Sequence, residues 1–432
     1  MNHASLATQR LDRGVAAYRN SSPIALLVLA GMFVAAIPFD ELVRLNIPLL
    51  RNPAAILGVA YLATFILMRR GRFHLYSATQ VLAIAFISIV GVQELLRLTL
   101  ADIPNTTYTG TPSISEVGPL YMARLQPIVL FLLISNTARD QRSVGFALFS
   151  LPIVMSTLGL GVLFVSDVGR WAPVGLNENF AGGAFGMSIV IAIAALLNRR
   201  SQSTWSVALL LSACIPFCVI GLLVSGSRTA SAATLVALCV LFVLSQVRLR
   251  RLLVVGTGFL ALTLATAPYF LGASEVLVSR WGQTLDGTSY GSRDTLIQIS
   301  VDLVADRPAW GHGLQGNYAI GSRWWGEPGR PFSAHNTFLA LLVMFGVAGA
   351  LPWFGMFALG AHHAWQHRHH ANGALLLSLL TLVAVHMLAG DLSTNKLLYV
   401  ILGLAVGLRH ATANPSTDDD VQVDWSGKHQ RS

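Results

Sequence analysis

The sequence predicts an all-α integral membrane protein with about twelve transmembrane helices and one large outer loop that contains amphipathic helices. Hydrophobic residues make up 54% of the 432 positions and charged residues 11%, with a mean hydropathy of +0.60. A soluble domain carries roughly a quarter charged residues, so this composition excludes a single water-soluble core. Apolar stretches of about twenty residues, the length that crosses hydrocarbon, recur along the chain. Backbone polar groups must be satisfied internally in lipid, so each stretch is expected to be a helix.

The positions of the arginines agree with this assignment. The predicted spans are 22–39, 48–68, 75–99, 118–136, 144–165, 179–197, 205–224, 228–247, 252–272, 335–360, 373–390 and 394–409. With a cytoplasmic N-terminus, every inward connection carries arginine, as positive-inside topology requires. Both termini are then cytoplasmic.

The loop between the ninth and tenth spans divides the chain. Predicted transmembrane helices 1–9 occupy residues 1–272, the outer loop domain 273–334 and helices 10–12 residues 335–410. Residues 411–432 are polar and are expected to form a disordered cytoplasmic tail. The net charge of +9 lies mostly in short loops, without the aromatic-lined basic module of a nucleic-acid binder. The three cysteines lie in apolar stretches and are expected to be packing residues.

Ionisable residues within or beside the spans share one depth. All fall in the outer third of the predicted membrane, and they are Glu94, Arg97, Arg124, Arg228, His335, His386, Asp391 and Lys396. A charge at a helix centre costs at least roughly 2.5–3.5 kcal/mol, so such residues are functional candidates. Snorkelling explains one or two of them at helix ends, but not so many from different helices. We therefore predict a polar chamber that opens to the outside.

The cations are almost all arginine, with 27 arginines and two lysines. Arginine binds phosphate bidentately and stays charged when it is desolvated, although a high-GC codon bias also favours it. Several arginines face outward against the positive-inside preference, among them Arg170, Arg293, Arg323 and Arg330. These residues are expected to need an anionic partner.

The outer loop contains a predicted amphipathic helix over Ser292–Asp306, which Ser292 caps and Pro308 ends. A spacing of 100° per residue puts four apolar side chains on one face, namely Leu296, Ile297, Val301 and Val304. Arg293 falls within that face, which favours a ligand for a buried anion over a solvated charge. Gly311 and Gly313 predict a tight turn, and His312 between them is expected to be structural.

His335 follows the arginine-rich loop and opens the tenth span. Nearby guanidinium groups are expected to lower its pKa and keep the imidazole neutral, which is the form that a general base needs. The alternative is an interfacial or capping histidine. A second group of histidines, at 362–370, falls in a predicted cytoplasmic loop, where a solvated polar loop explains it better than a metal site.

Four motifs resemble the O-antigen ligase and polymerase superfamily of bacterial envelope glycosyltransferases. They are Gly-Ser-Arg228-Thr; Ser292-Arg293 followed by Arg307-Pro308-Ala-Trp-Gly311-His-Gly313; His335-Asn336-Thr-Phe-Leu with Phe345-Gly346-Val-Ala-Gly349; and Asn177-Glu-Asn179-Phe-Ala-Gly182. The resemblance implies glycan transfer from undecaprenyl pyrophosphate at the periplasmic face of the bacterial inner membrane, without metal or cofactor. It implies that His335 is the catalytic residue and that Arg228 and Arg293 are essential.

The chain length favours the ligase branch, with lipid A–core oligosaccharide as the acceptor, while an O-antigen polymerase stays open. A transporter fits less well, since transporters bind near the midplane and these charges lie at one rim. The residues expected to bind substrate are Arg124, Arg170, Asn179, Asn336 and Lys396. Trp324 and Trp325 are expected either to stack on sugar rings or to anchor the interface.

Overall fold

The computed structural model describes residues 24–39, 53–69, 77–99, 114–138, 141–161, 177–197, 205–245, 291–326 and 330–413, with short helical pieces at 274–275, 278–279 and 281–283. All regular secondary structure in these ranges is helical. The helices are α1 Ile24–Ala36, α2 Pro53–Arg69, α3 Ala78–Thr99, α4 Ile114–Thr137, α5 Gln141–Gly161, α6 Glu178–Leu197, α7 Trp205–Val224, α8 Arg228–Leu244, α9 Gly291–Asp306, α10 Gly316–Trp325, α11 Thr337–Gln366, α12 Ala371–Met387 and α13 Lys396–Ala413.

Each predicted apolar span that falls in the described ranges forms a helix, while the predicted span 252–272 and the tail lie outside them. Four helices, α3, α4, α6 and α11, are long and apolar enough to cross a membrane by length and composition. Apolar side chains such as Leu67 and Val243, each 79% exposed, cover the outer surface of the bundle. The chain is therefore a helical membrane protein. Its predicted span count stays a prediction.

The helix of the predicted span 335–360 extends six residues beyond the predicted end of the span. α11 continues to Gln366, so His362 and His363 belong to a helix rather than to a loop, and His363 is buried. Gly360 lies inside this helix, where a Cβ would lie 2.6 Å from Leu402 Cδ2, so the glycine marks a close contact with α13 rather than the end of the helix.

α6 is the central helix of one half of the bundle, and most of its side chains are buried. It packs against α5, α7, α8 and α12. Glycines permit the close approach, since a Cβ at Gly182 would lie 2.8 Å from Ser225 Oγ and one at Gly183 would lie 2.7 Å from His386 Nδ1. Small residues at helix interfaces are the usual means of tight packing in membranes.

The other half is built around α11, which packs against α3 and α13, while α4 packs against α3 and α13. α12 contacts both α11 and α13 and so joins the two halves. α9 and α10 pack over α11. These contacts bring the starts of α6, α8, α11 and α13 to the same end of the bundle as the end of α12.

The amphipathic helix forms as α9, with a different buried face from the one predicted. Leu296, Ser300 and Leu303 are buried, whereas Ile297 is 44% and Val301 50% exposed. The prediction of Ile297 and Val301 as inward residues was wrong because hydrophobicity alone does not tell a protein-facing side from an exposed apolar one. Arg293 lies one turn before Leu296 on the buried side and is half-buried.

Candidate active site

His335 lies directly before α11 in an unusual backbone conformation. Among the described residues, His335 is the one non-glycine residue whose φ is positive, at 49°. Its backbone N–H donates to Ser333 Oγ at 3.2 Å. Asn336 follows as the N-cap of α11, accepts at Oδ1 from the Leu339 N–H at 3.1 Å, and donates from Nδ2 to the Leu388 carbonyl at 3.2 Å. A strained φ of this kind persists only where the surrounding contacts enforce it.

The imidazole of His335 is half-buried and feels two groups of opposite charge, Arg293 and Asp391. The Phe332 ring packs edge-on against it, with 5.6 Å between ring centroids. Burial lowers the pKa of His335, the guanidinium of Arg293 lowers it further, and the carboxylate of Asp391 opposes the shift. The net direction is below the ordinary value, so the ring is neutral at neutral pH and is able to accept a proton.

Asp391 is fixed by a turn that is anchored in the bundle. Its Oδ1 accepts from the Ser393 N–H at 3.0 Å and from Ser393 Oγ at 2.5 Å. The carbonyl of Ser393 accepts from Tyr399 Oη at 2.7 Å, and Tyr399 in turn accepts from Trp353 Nε1 at 2.9 Å. The position of the carboxylate beside His335 therefore rests on buried contacts from two helices.

A cluster of aromatic side chains lies next to the histidine. Trp324 and Phe332 stack with 5.5 Å between centroids and an angle of 4°, and the Arg330 guanidinium lies 4.6 Å from the Trp325 ring centroid. Trp325 is 42% exposed. The predicted anionic partner of Arg323 is found within the protein, since Arg323 pairs with Asp306.

Arg228 and Asn179 meet through a serine. Arg228 is the first residue of α8, and Ser227 caps that helix by accepting at Oγ from the Ala230 N–H at 3.3 Å. Ser227 Oγ also donates to Asn179 Oδ1 at 3.0 Å. The predicted asparagine and arginine motifs are thus joined at the end of the bundle that carries His335.

The other predicted substrate ligands differ in their surroundings. Arg124 is 7% exposed, donates to Ser393 Oγ, contacts Met344 Sδ at 3.2 Å and lies 5.7 Å from the Phe345 ring centroid. These contacts favour an internal structural role, and its predicted contact with substrate stays untested. Lys396 opens α13 and is half-buried. Arg170 lies outside the described residues.

Glu94 and Arg97 do not line an open chamber, in contrast to the prediction. Glu94 is 5% exposed and accepts from the Leu314 N–H at 2.7 Å, and Arg97 donates to the carbonyls of Gly311, at 2.6 Å, and of His312. The prediction was wrong because depth in the membrane does not distinguish a charge that holds a loop from one that faces solvent. His312 is structural, as expected, since its Nε2 lies 2.9 Å from the Leu303 carbonyl oxygen.

Sequence reasoning placed Asp391 at the outer rim but did not assign it to the site. The usable signal was the Asp391-Leu-Ser393 segment between two apolar spans, since aspartate followed by serine two residues later is typical of an Asx turn. Nothing in the sequence pairs that turn with His335, because the two are separated by a whole helical hairpin.

The fold and the site define a class, a helical membrane protein with histidine, arginine and carboxylate side chains gathered at one end of its bundle. Residues 213–354 match the family model described as O-antigen ligase. This segment carries Arg228, Arg293, His335 and Asn336, and its match supports an assignment to the O-antigen ligase family. No curated protein matches the chain.

Proposed function

We propose that the protein is an O-antigen ligase that transfers a glycan from undecaprenyl pyrophosphate to lipid A–core oligosaccharide at the periplasmic face of the bacterial inner membrane. The observation that carries the proposal is the placement of His335, half-buried, in a constrained backbone conformation, and under the electrostatic influence of both Arg293 and Asp391. The family match over the same segment supports this assignment. The donor and the acceptor are those that the family resemblance implies.

In the proposed reaction, neutral His335 removes the proton from a sugar hydroxyl of the acceptor. The oxygen attacks the anomeric carbon of the donor, the bond from that carbon to the pyrophosphate oxygen breaks, and the electron pair leaves with undecaprenyl pyrophosphate. A single displacement inverts the anomeric configuration. The proton on His335 is then released to solvent or to the departing pyrophosphate.

Arginine supplies the positive charge at the leaving group in this mechanism. In this proposal Arg293 of α9 and Arg228 at the start of α8 are the two arginines that act on the pyrophosphate. Donors aimed at developing negative charge stabilise the transition state without reorganisation. Asp391 opposes the electrostatic effect of Arg293 on His335 and favours a proton on the imidazole once it is taken up.

The experiment that tests the proposal is reconstitution of purified protein with undecaprenyl-pyrophosphate glycan and rough lipopolysaccharide, for the wild type and His335→Ala. If the wild type places glycan on lipid A–core and His335→Ala does not, the result supports both the ligase activity and the role of His335. Longer donor-linked glycan with no capped lipid A identifies a polymerase instead. Activity of His335→Ala near the wild-type rate contradicts the role of His335 as the base, and retention of configuration contradicts the single displacement.

A further inference from the structure

Residues 308–313 fill a break in α11. At Gly346 the helix has φ 59° and ψ −167°, so its regular hydrogen bonds cannot continue there. The loop replaces them on both sides: the amides of His312 and Gly313 donate to the carbonyls of Val343, at 2.7 Å, and Met344, at 2.5 Å. Beyond the break, Val347 donates to the Pro308 carbonyl at 2.8 Å and Ala348 donates to the Ala309 carbonyl at 3.0 Å.

The loop and the helix approach each other closely enough to require glycine on both sides. Gly311 has φ 58°, and a Cβ there would lie 2.5 Å from the Gly346 nitrogen. A Cβ at Gly346 would lie 2.5 Å from the Trp310 nitrogen. A break in a membrane helix is tolerated where other groups satisfy the freed backbone, and here the loop provides them.

Three polar side chains of α3 hold this loop from the other side. Glu94 accepts from the Leu314 amide, Arg97 donates to the Gly311 and His312 carbonyls, and Gln93 donates to the Trp310 carbonyl. Gln93 and Glu94 are 3% and 5% exposed. Buried polar groups of this kind are costly unless they are hydrogen-bonded. Glu94, Arg97 and the Gln93 Nε2 each have a backbone partner in residues 310–314, while Gln93 Oε1 has none among the described residues.

The same loop is joined to the helices on either side of the site. His312 Nε2 lies 2.9 Å from the Leu303 carbonyl oxygen, which ties the loop to α9, the helix that carries Arg293. The backbone bonds to Val343 and Met344 tie it to the first segment of α11, which begins two residues after His335. One loop therefore contacts both helices that present the two side chains.

We propose that Glu94 and Arg97 are positioning residues for glycan transfer, which hold residues 308–314 in the break of α11 and thereby fix the distance between Arg293 and His335. The inference rests on the proposed function where the rate of glycan transfer is measured. It rests on the geometry alone where the pKa of His335 is measured by chemical modification. Misplacement of a catalytic group by about 1 Å is enough to lower a rate by about a hundredfold. Substitution of Glu94 or Arg97 is therefore expected to lower kcat, with little change in KM.

The test compares variants that differ in one property. Glu94→Gln keeps an acceptor oxygen for the Leu314 amide, whereas Glu94→Leu removes it. Arg97→Lys keeps the charge but loses the two-pronged contact with the Gly311 and His312 carbonyls. Arg323→Ala is the matched control, because it removes an exposed ion pair with Asp306 in the same layer without a contact to the loop.

Two measurements are made on each purified protein. The first is kcat and KM for transfer. The second is the pH dependence of the modification of His335 by diethyl pyrocarbonate. The extent of modification is measured by mass spectrometry on the proteolytic peptide that contains His335. The reagent attacks neutral imidazole, so the midpoint reports the pKa of His335, and the charged groups that influence it are Arg293 of α9 and Asp391 of the turn before α13.

We expect Glu94→Leu and Arg97→Lys to lower kcat by about tenfold to a hundredfold while KM changes less than about threefold. We expect the modification midpoint to move to higher pH, because Arg293 no longer stays close to His335. Glu94→Gln is expected to lower kcat less than Glu94→Leu does, because it keeps the acceptor for the Leu314 amide but removes the negative charge beside Arg97. Arg323→Ala is expected to behave like the wild type. A loss of thermal stability with unchanged kcat and unchanged midpoint overturns the proposal.

The two proposals fail separately in this design. If no protein, including the wild type, transfers glycan, but Glu94→Leu and Arg97→Lys still shift the midpoint, the proposed function fails and the positioning stands. If the wild type transfers glycan and these variants leave kcat and the midpoint unchanged, the positioning fails and the proposed function stands.

Discussion

Two clusters of polar residues lie at one end of the helical bundle, and their side chains are used differently. In the first, Gln93, Glu94 and Arg97 of α3 direct their polar atoms at backbone groups of residues 310–314. In the second, His335 is half-buried beside Arg293 and Asp391, and its side chain packs on the edge of Phe332. The first cluster is a structural clamp, and in the proposed reaction the second cluster supplies the reactive groups.

The difference shows what a charge in a membrane helix can mean. Both clusters fall in the outer third of the predicted membrane, and both satisfy the expectation that such residues are placed for a reason. Among the residues that the structure describes, the first cluster binds backbone groups of residues 310–314, and no such contact is seen for the imidazole of His335. Substitutions in each of the two regions, compared for their effects on transfer and on stability, test this distinction.

The largest expected effect on transfer comes from substitution of His335, which belongs to the second cluster. It is compared with substitution of His312, which lies in the loop that the first cluster holds. His335→Gln is expected to lower transfer by about 10²–10⁴-fold with an unchanged unfolding temperature, because it removes the base but leaves the helix cap at Asn336 intact. His312→Leu leaves the buried Leu303 carbonyl without its partner and is expected to cost about 1–3 kcal/mol of stability. The measurements are the initial rate of transfer and thermal unfolding in detergent. The comparison breaks if His312→Leu lowers the rate as much as His335→Gln does at a temperature where both are folded.

The next effect concerns the glycines that let the clamp close. Gly346→Ala is expected to destabilise the protein strongly, since the new Cβ meets the backbone of Ala309 and Trp310 in addition to the cost of positive φ. Gly326→Ala is the matched control, because Gly326 has φ 70° but open space around it. There only the conformational cost of about 1–2 kcal/mol applies. Thermal unfolding and proteolysis of the two variants give the comparison, and equal losses would argue against the interlock of loop and helix.

Most of the fold could be predicted from the sequence, because apolar length and arginine position reflect the membrane directly. The helices from α3 to α8 begin and end within a few residues of the predicted spans. The motif residues Arg228, Arg293 and His335 were also found, since glycine, serine and asparagine beside them gave local signals. The hydrogen bond between Asn179 and Ser227 was not predicted, since the sequence gives Asn179 only as a candidate for substrate binding.

The clamp and the turn of Asp391 could not be predicted in the same way. Glu94 binds an amide 220 residues away in the chain, and the bond partner is a backbone group that any residue carries. A sequence pattern identifies side chains, but every residue carries the same backbone carbonyl and amide. The sequence therefore does not indicate which backbone group Glu94 or Arg97 binds. The break at Gly346 was equally hidden, because an isolated glycine in an apolar span is common in membrane helices.

The smallest expected effect is a pair of opposite shifts at His335, and it tests the second cluster most directly. Arg293→Gln removes the positive charge that disfavours the imidazolium form, so the pKa of His335 is expected to rise. Asp391→Asn removes the negative charge that favours it, so the pKa is expected to fall further below the ordinary value.

The midpoint of His335 modification by diethyl pyrocarbonate measures both shifts without the need for residual activity. In the proposed reaction the rate falls as the pH drops through this pKa, because only neutral imidazole accepts the proton. The low-pH limb of kcat/KM should therefore move upward in Arg293→Gln and downward in Asp391→Asn. Arg323→Ala, whose guanidinium pairs with Asp306, should leave the midpoint in place. An unchanged midpoint in both charge variants would show that burial alone sets the pKa, and that Arg293 and Asp391 do not act on the histidine.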